Sequence, residues 1–132
     1  MIGSFIFSHQ RGNRRLVLDG CRQAVSGPVR ITLIGRLFSW ASAKPDIEAD
    51  LAALARRIEV SGIPAALDDV DGEWCLIVED GRDGTVAFVS DHIGTHPIFL
   101  AEGPDGIIAA SHLPRLVKEA RLGLDEARVA IY

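Results

Sequence analysis

The sequence predicts an α+β fold of mainly antiparallel strands joined as hairpins, and three observations carry that expectation. Residues 70–111 (VDGEWCLIVEDGRDGTVAFVSDHIGTHPIFLAEGPDGIIAAS) hold four short runs rich in β-branched and aromatic residues, at 74–79, 86–90, 98–101 and 107–111. Gly-Arg-Asp-Gly at 81–84 and Gly-Pro-Asp-Gly at 103–106 supply hairpin chemistry, with an irregular link at 91–97. One amphipathic helix stands between the third and fourth strands, without the regular β–α alternation of a doubly wound parallel sheet.

From the N-terminus, residues 3–8 read as a strand and 15–19 (RLVLD) as its hairpin partner across HQRGNR. GCRQAVSGP, residues 20–28, reads as a polar connection punctuated by Gly20, Gly27 and Pro28. Residues 29–38 (VRITLIGRLF) form the third β run, whose interior Gly35 predicts a bulge or a close approach to the backbone. The helix spans 45–58. Ile47, Leu51, Leu54, Ala55 and Ile58 share one face, while Glu48, Arg56 and Glu59 turn away. Pro45 suits the first turn, Asp46 and Glu48 complement the positive end of the dipole, and Gly62 and Pro64 stop the helix. A short helical turn at 64–70 leads into the four-strand stretch. Beyond it, 113–118 reads as a brief helix, and Asp125 as the N-cap of a last helix at 126–132. The total is about seven strands.

A chain of 132 residues fits one domain, 1–132, with 48% apolar and 24% charged residues. A net charge of −4 without a basic stripe argues against a nucleic-acid surface. Arg11, Arg14 and Arg15 read as a solvated turn. Cys21 and Cys75 have no metal-type spacing, and Cys75, inside an apolar run, reads as a buried free thiol. MIGSFIFS is too short for a signal peptide or membrane span, so the expected location is the cytoplasm.

The residues alone name no reaction. His92 and His96 are four apart, but Gly94 and Pro97 oppose the helix that would align them, and no glutamate follows His92. A loop of Asp91, His92 and His96 could still hold a metal; a structural loop is the favoured reading, and no metal is assigned. His9 and His112 read as surface or satisfied histidines. No nucleophile elbow appears, and the Gly-rich turns neither open a helix nor carry the Lys-Ser/Thr of a phosphate loop.

The order of landmarks nevertheless resembles a known family. A helix ending in LDDVDG (67–72) is followed by a hairpin, DHIGTHPIF (91–99) and IIAASHLPRLV (107–117), with LIGRLF (33–38) and KPD (44–46) upstream. Over residues 29–120 this is similar to the class II glutamine amidotransferase (N-terminal glutaminase) domain of asparagine synthetases, β-lactam synthetases and lasso peptide cyclases. The resemblance implies an Ntn-hydrolase-like α-β-β-α sandwich of two mainly antiparallel sheets, here trimmed at the N-terminal side. In active members a cysteine after the initiator methionine attacks the glutamine amide, with its own α-amino group as base.

Here Ile2 occupies the nucleophile position, so the expected set of catalytic residues is empty. The family's oxyanion asparagine aligns with Ile34, beside a retained Gly35; losing one such donor costs ~100- to 1,000-fold. The loop that grips the glutamine carboxylate shrinks to SGP (26–28), and Ser90 stands for the arginine of the Arg-Asp pair. Gly35 and Asp46, the latter matching the carboxylate for the glutamine α-amino group, are vestigial ligand-site candidates. Asp91, Gly94 and Pro97 form a structural motif.

The resemblance therefore implies a non-catalytic pseudo-glutaminase, the front half of an asparagine synthetase-like protein, with a scaffold or substrate-holding role. Its partner would be an ATP-dependent amide-forming synthetase domain or subunit of ATP-pyrophosphatase type, and a peptide substrate could bind as well. ATP and Mg belong to that partner, because this chain has no Ser-Gly-Gly-x-Asp-Ser loop. Two other readings stand beside it. One is a degenerate amidohydrolase using Ser4 or Cys21, and the other is a homodimerising binding module. The first reading predicts an exposed apolar patch over 113–132, and the second predicts Cys21 in an open, electropositive pocket with a lowered pKa.

Overall fold

A computed structural model describes residues 3–37, 46–91, 94–123 and 128–131, with the backbone alone for 120–123 and 128–131. In chain order the elements are β1 (Ser4–Gln10), β2 (Asn13–Asp19), β3 (Arg22–Ser26), β4 (Val29–Leu37), α1 (Ile47–Ser61) and α2 (Ile63–Leu67). There follow β5 (Gly72–Asp80), β6 (Thr85–Ser90), β7 (Phe99–Gly103), β8 (Gly106–Ala110), α3 (Leu113–Gly123) and β9 (Arg128–Ile131). The fold is α+β with two antiparallel sheets, as expected, and the chain divides into two compact units. The stretch 70–111 feeds both: β5 and β6 lie in one sheet, β7 and β8 in the other.

The unit Arg22–Thr95 contains the meander β3-β4-β5-β6 with α1 and α2. Alternation puts Val29, Ile31 and Leu33 of β4 and Trp74, Leu76 and Val78 of β5 on one face, where Leu51, Leu54, Ala55 and Ile58 of α1 pack against them. The face predicted from helical spacing is the one buried. On the other face Thr32, Ile34, Cys75 and Ile77 are also buried, and Cys75 is, as expected, a buried thiol outside any disulfide.

The unit Met1–Cys21 with His96–Tyr132 contains the sheet β2-β1-β8-β7-β9 and α3. Leu116 of α3 packs with Ile6, Ala101, Ile108 and Ala110. Arg11 (φ 51) and Gly12 (φ 81) form the two-residue turn between β1 and β2, both left-handed as the twist of a tight hairpin requires. Arg11 is not merely solvated. Its N–H donates to the Asp105 carbonyl at 3.0 Å and its guanidinium pairs with the Asp105 carboxylate at 3.3 Å, tying two hairpin tips together. Beside them Gly106 (φ 148) has no room for a Cβ, which would collide with the His9 carbonyl oxygen.

Several expectations need correction. Residues 22–26 are not a connection but β3, paired with β4 from Arg22↔Leu33 to Ser26↔Val29. Gly27 (φ 56) followed by Pro28 makes the two-residue turn, with Gly in the first position where a positive φ is required. Gly35 makes no bulge, since the β4–β5 register runs unbroken through Gly35↔Trp74. Its φ of 92 is nonetheless a conformation that favours glycine. The helix begins at Ile47 with Asp46 as N-cap and runs three residues past Ile58; Pro45 lies outside the described residues. It ends at Gly62 (φ 84), whose N–H donates to the Ile58 carbonyl at 2.9 Å. The helix α3 extends to Gly123, past the predicted 118. The predicted last helix is instead β9, antiparallel to β7. A seven-residue helix pays the nucleation cost with few bonds gained, whereas Val129 and Ile131 suit a ladder on the β7 edge. Asp125 lies outside the described residues.

Candidate functional site

The most completely built polar feature is the turn after β6. Asp91 is 8% exposed. Its Oδ2 accepts the Trp74 N–H at 2.9 Å, and its Oδ1 accepts the Gly94 N–H at 2.6 Å and the Thr95 N–H at 3.2 Å. In the main chain the Asp91 N–H donates to the Trp74 carbonyl at 3.0 Å, and the Gly94 N–H to the Asp91 carbonyl at 3.2 Å. Burial opposes the charge, yet the N–H groups of Thr95, Trp74 and Gly94 outweigh it and hold the carboxyl below its ordinary range. Gly94 (φ 70) supplies the left-handed residue that brings its N–H back to the carboxylate. The segment thus welds the end of β6 to the start of β5.

That geometry gives two of the three motif residues a shared structural task. Pro97, half-buried, lies in the other unit and precedes Ile98 and β7. With its oxygens engaged by three backbone donors, Asp91 is arranged as a turn anchor. His92 lies outside the described residues. Among those described, no group of three or more His, Cys, Asp and Glu is placed to hold a metal.

The vestigial candidates stand apart from one another in function. Gly35 is half-buried near the end of β4, next to Ile34, which is 1% exposed and offers no polar atom where an oxyanion donor is expected. Asp46 is exposed, and its carboxylate accepts the Ala49 N–H at 3.2 Å as the cap of α1. Residues 26–28, expected to be a shortened carboxylate loop, make the β3–β4 turn; Ser26 Oγ donates to Glu59 Oε1 at 2.6 Å. Ser90 closes β6 opposite Cys75. Ile2 lies outside the described residues.

Cys21 follows β2, half-buried. Its Sγ donates to the Ser4 carbonyl at 3.2 Å and to the Asp19 carbonyl at 3.6 Å. Burial pushes the Cys21 pKa up, and the Asp19 charge adds to the rise. This is the opposite of the open, electropositive setting that an alternative nucleophile needs. Ser111 and His112 offer a second apparent nucleophile–base pair, with Oγ and Nδ1 2.9 Å apart. The hydroxyl, however, already accepts the Phe5 N–H at 3.0 Å and lies 3.3 Å from the Phe5 carbonyl. It is a clasp between β8 and β1.

Sequence reasoning missed two features. Asp50 is a carboxylate 4% exposed in the first turn of α1. Arg82 donates to both oxygens of Asp80 and, at 3.1 Å, to the carbonyl of Glu59 near the end of α1. Only the Asp-Gly turn chemistry at 81–84 hinted at the second. Of the segment expected to carry an apolar patch, Leu113 is 38% exposed, while most of its side chains lie outside the description. No described helix is long and apolar enough to cross a membrane.

No curated protein matches the chain significantly. The family model described as a glutamine amidotransferase domain matches residues 33–118. That match spans β4 to α3 and includes the Asp91 turn, Gly35 and Asp46. It covers well over half of the sequence, so this chain belongs to the glutamine amidotransferase domain family.

Proposed function

We propose that this is a pseudo-glutaminase: a domain that keeps the amidotransferase scaffold, does not hydrolyse glutamine, and serves an ATP-dependent amide-forming synthetase. Asparagine synthetase-like and lasso cyclase-like enzymes are the class of partner that fits. ATP and Mg act on the partner, where they would activate a carboxylate for attack by an amine. The amidotransferase-like domain packs against that enzyme or helps to hold its substrate.

One observation carries the reading: Ile2, at the position that the resemblance gives to the family's thiol, has no nucleophilic atom. The setting of Cys21 supports it, because a thiol kept protonated by burial and donating to two carbonyl oxygens is a poor substitute. Ile34, in place of an oxyanion donor, supports it further.

The test is glutamine hydrolysis by the purified protein, alone and mixed with a candidate synthetase domain encoded beside it. Ammonia release at the level of the protein-free blank, with a stable complex by analytical ultracentrifugation, is the expected result. Saturable ammonia release would overturn the pseudo-glutaminase reading. Absence of any complex with the adjacent synthetase domain would overturn the partnership.

A further inference from the structure

The sheet face that carries α3 holds a notch that includes none of the candidate site residues. Ile6, Ser8, Arg15, Val17, Arg115 and Glu119 line it, and it is shallow and open to solvent. Register accounts for the lining. Ile6 pairs with Val17 and Ser8 with Arg15 across β1 and β2, so the four side chains stand on one face in two rows. Arg115 and Glu119 are one turn apart on α3 and therefore neighbours along one side of that helix. Ile6 and Val17 belong to the apolar cluster under Leu116 and give the notch an apolar floor.

The charges are unbalanced. Arg11, Arg22, Arg36, Arg57 and Arg82 each have a carboxylate partner. Arg15 and Arg115 have none among the described residues and share the notch. The planar fork of a guanidinium matches a carboxylate, and Ser8 adds a hydroxyl. Glu119 stands at the same notch, where it repels a bare anion and attracts a cation attached to it. Two cations, one anion and an apolar floor together complement a zwitterion that carries a small aliphatic group.

We infer that this notch binds a small aliphatic α-amino acid, with Arg15 and Arg115 on the carboxylate and Glu119 on the ammonium. This inference is independent of the pseudo-glutaminase reading and concerns a different part of the molecule. A peptide C-terminus would offer the same carboxylate without the ammonium, and Glu119 is the residue that separates the two.

The experiment is an amide-resolved NMR titration of the full chain at low salt, using alanine, N-acetylalanine and alaninamide. Alanine is expected to give saturable shifts at residues 6–8, 15–17 and 115–119. N-acetylalanine should bind ~10-fold more weakly and alaninamide not at all. Arg115→Gln should weaken alanine ~10-fold. Glu119→Gln should weaken alanine but strengthen N-acetylalanine, a reversal that mere unfolding would not give. Equal binding of N-acetylalanine and alanine would assign the site to a peptide C-terminus and overturn the inference. Absence of saturable shifts with alanine, or shifts unchanged by Arg115→Gln, would overturn it too.

Discussion

Asp91 and Cys21 are two ionisable side chains taken partly out of water, and the backbone treats them oppositely. Around Asp91 the neighbours are N–H donors, so the charged form is favoured despite burial. Around Cys21 the neighbours are carbonyl oxygens that accept from the thiol, and burial pushes its pKa up. The difference teaches where this scaffold spends its polar design. A charge is stabilised where it holds two strands together, and none is prepared where an alternative nucleophile would need one.

The largest effect should come from removing the anchor. Asp91→Ala leaves the buried Trp74 N–H without its acceptor and takes the carboxylate from the part-buried Gly94 and Thr95 N–H groups, and is expected to destabilise the fold by about 3 kcal/mol in urea unfolding. A loss under about 1 kcal/mol would mean that the turn is not held by this carboxylate. Backbone fit comes next. Gly106→Ala forces a Cβ against the His9 carbonyl at a φ that side chains resist, and should cost roughly 2–3 kcal/mol. Gly84→Ala meets open space at φ 72 and should cost only about 1 kcal/mol. Equal losses for the two glycines would show that close approach at the hairpin tip is not the cause.

The pH dependence should be the gentler signature. Because the folded Asp91 pKa lies below its ordinary value, its contribution is fully present above that value, 3.8. It is lost as the pH falls through the lower folded pKa. Unfolding midpoints in urea should therefore drop on acidification below about pH 4, and the drop should be shallower in Asp91→Asn. A matching acid limb in the variant would assign the titration elsewhere. For Cys21 the smallest change is expected. Alkylation by iodoacetamide at pH 7 should be slow, with its rate rising only above the ordinary thiol value of 9.0. Fast alkylation at pH 7 would mark a thiolate and erase the contrast with Asp91.

Much of the fold was legible because its signals are local. Gly-Arg-Asp-Gly and Gly-Pro-Asp-Gly mark two turns that exist, and the spacing of Leu51, Leu54, Ala55 and Ile58 marks the buried face of α1. The strand β3 escaped because RQAVS holds one β-branched residue, and that residue, Val25, is 61% exposed. Its pairing is imposed by the Gly27-Pro28 turn and by the neighbouring β4 edge. The strand β9 escaped for a similar reason, since four residues gain their identity from β7, far away in sequence. Of the site, the Asp-x-x-Gly pattern at 91–94 was visible. The donor from Trp74, 17 positions upstream, was not. The notch between β2 and α3 was invisible as well, since no local pattern unites Arg15 with Arg115.

The central claim is that the scaffold has no acylating nucleophile. It is tested most directly by intact-mass analysis after incubation with an electrophilic diazoketone analogue of glutamine. The account predicts an unmodified mass under conditions in which an active glutaminase domain is fully labelled. A single stoichiometric adduct, mapped to Cys21 or Ser4, would contradict it.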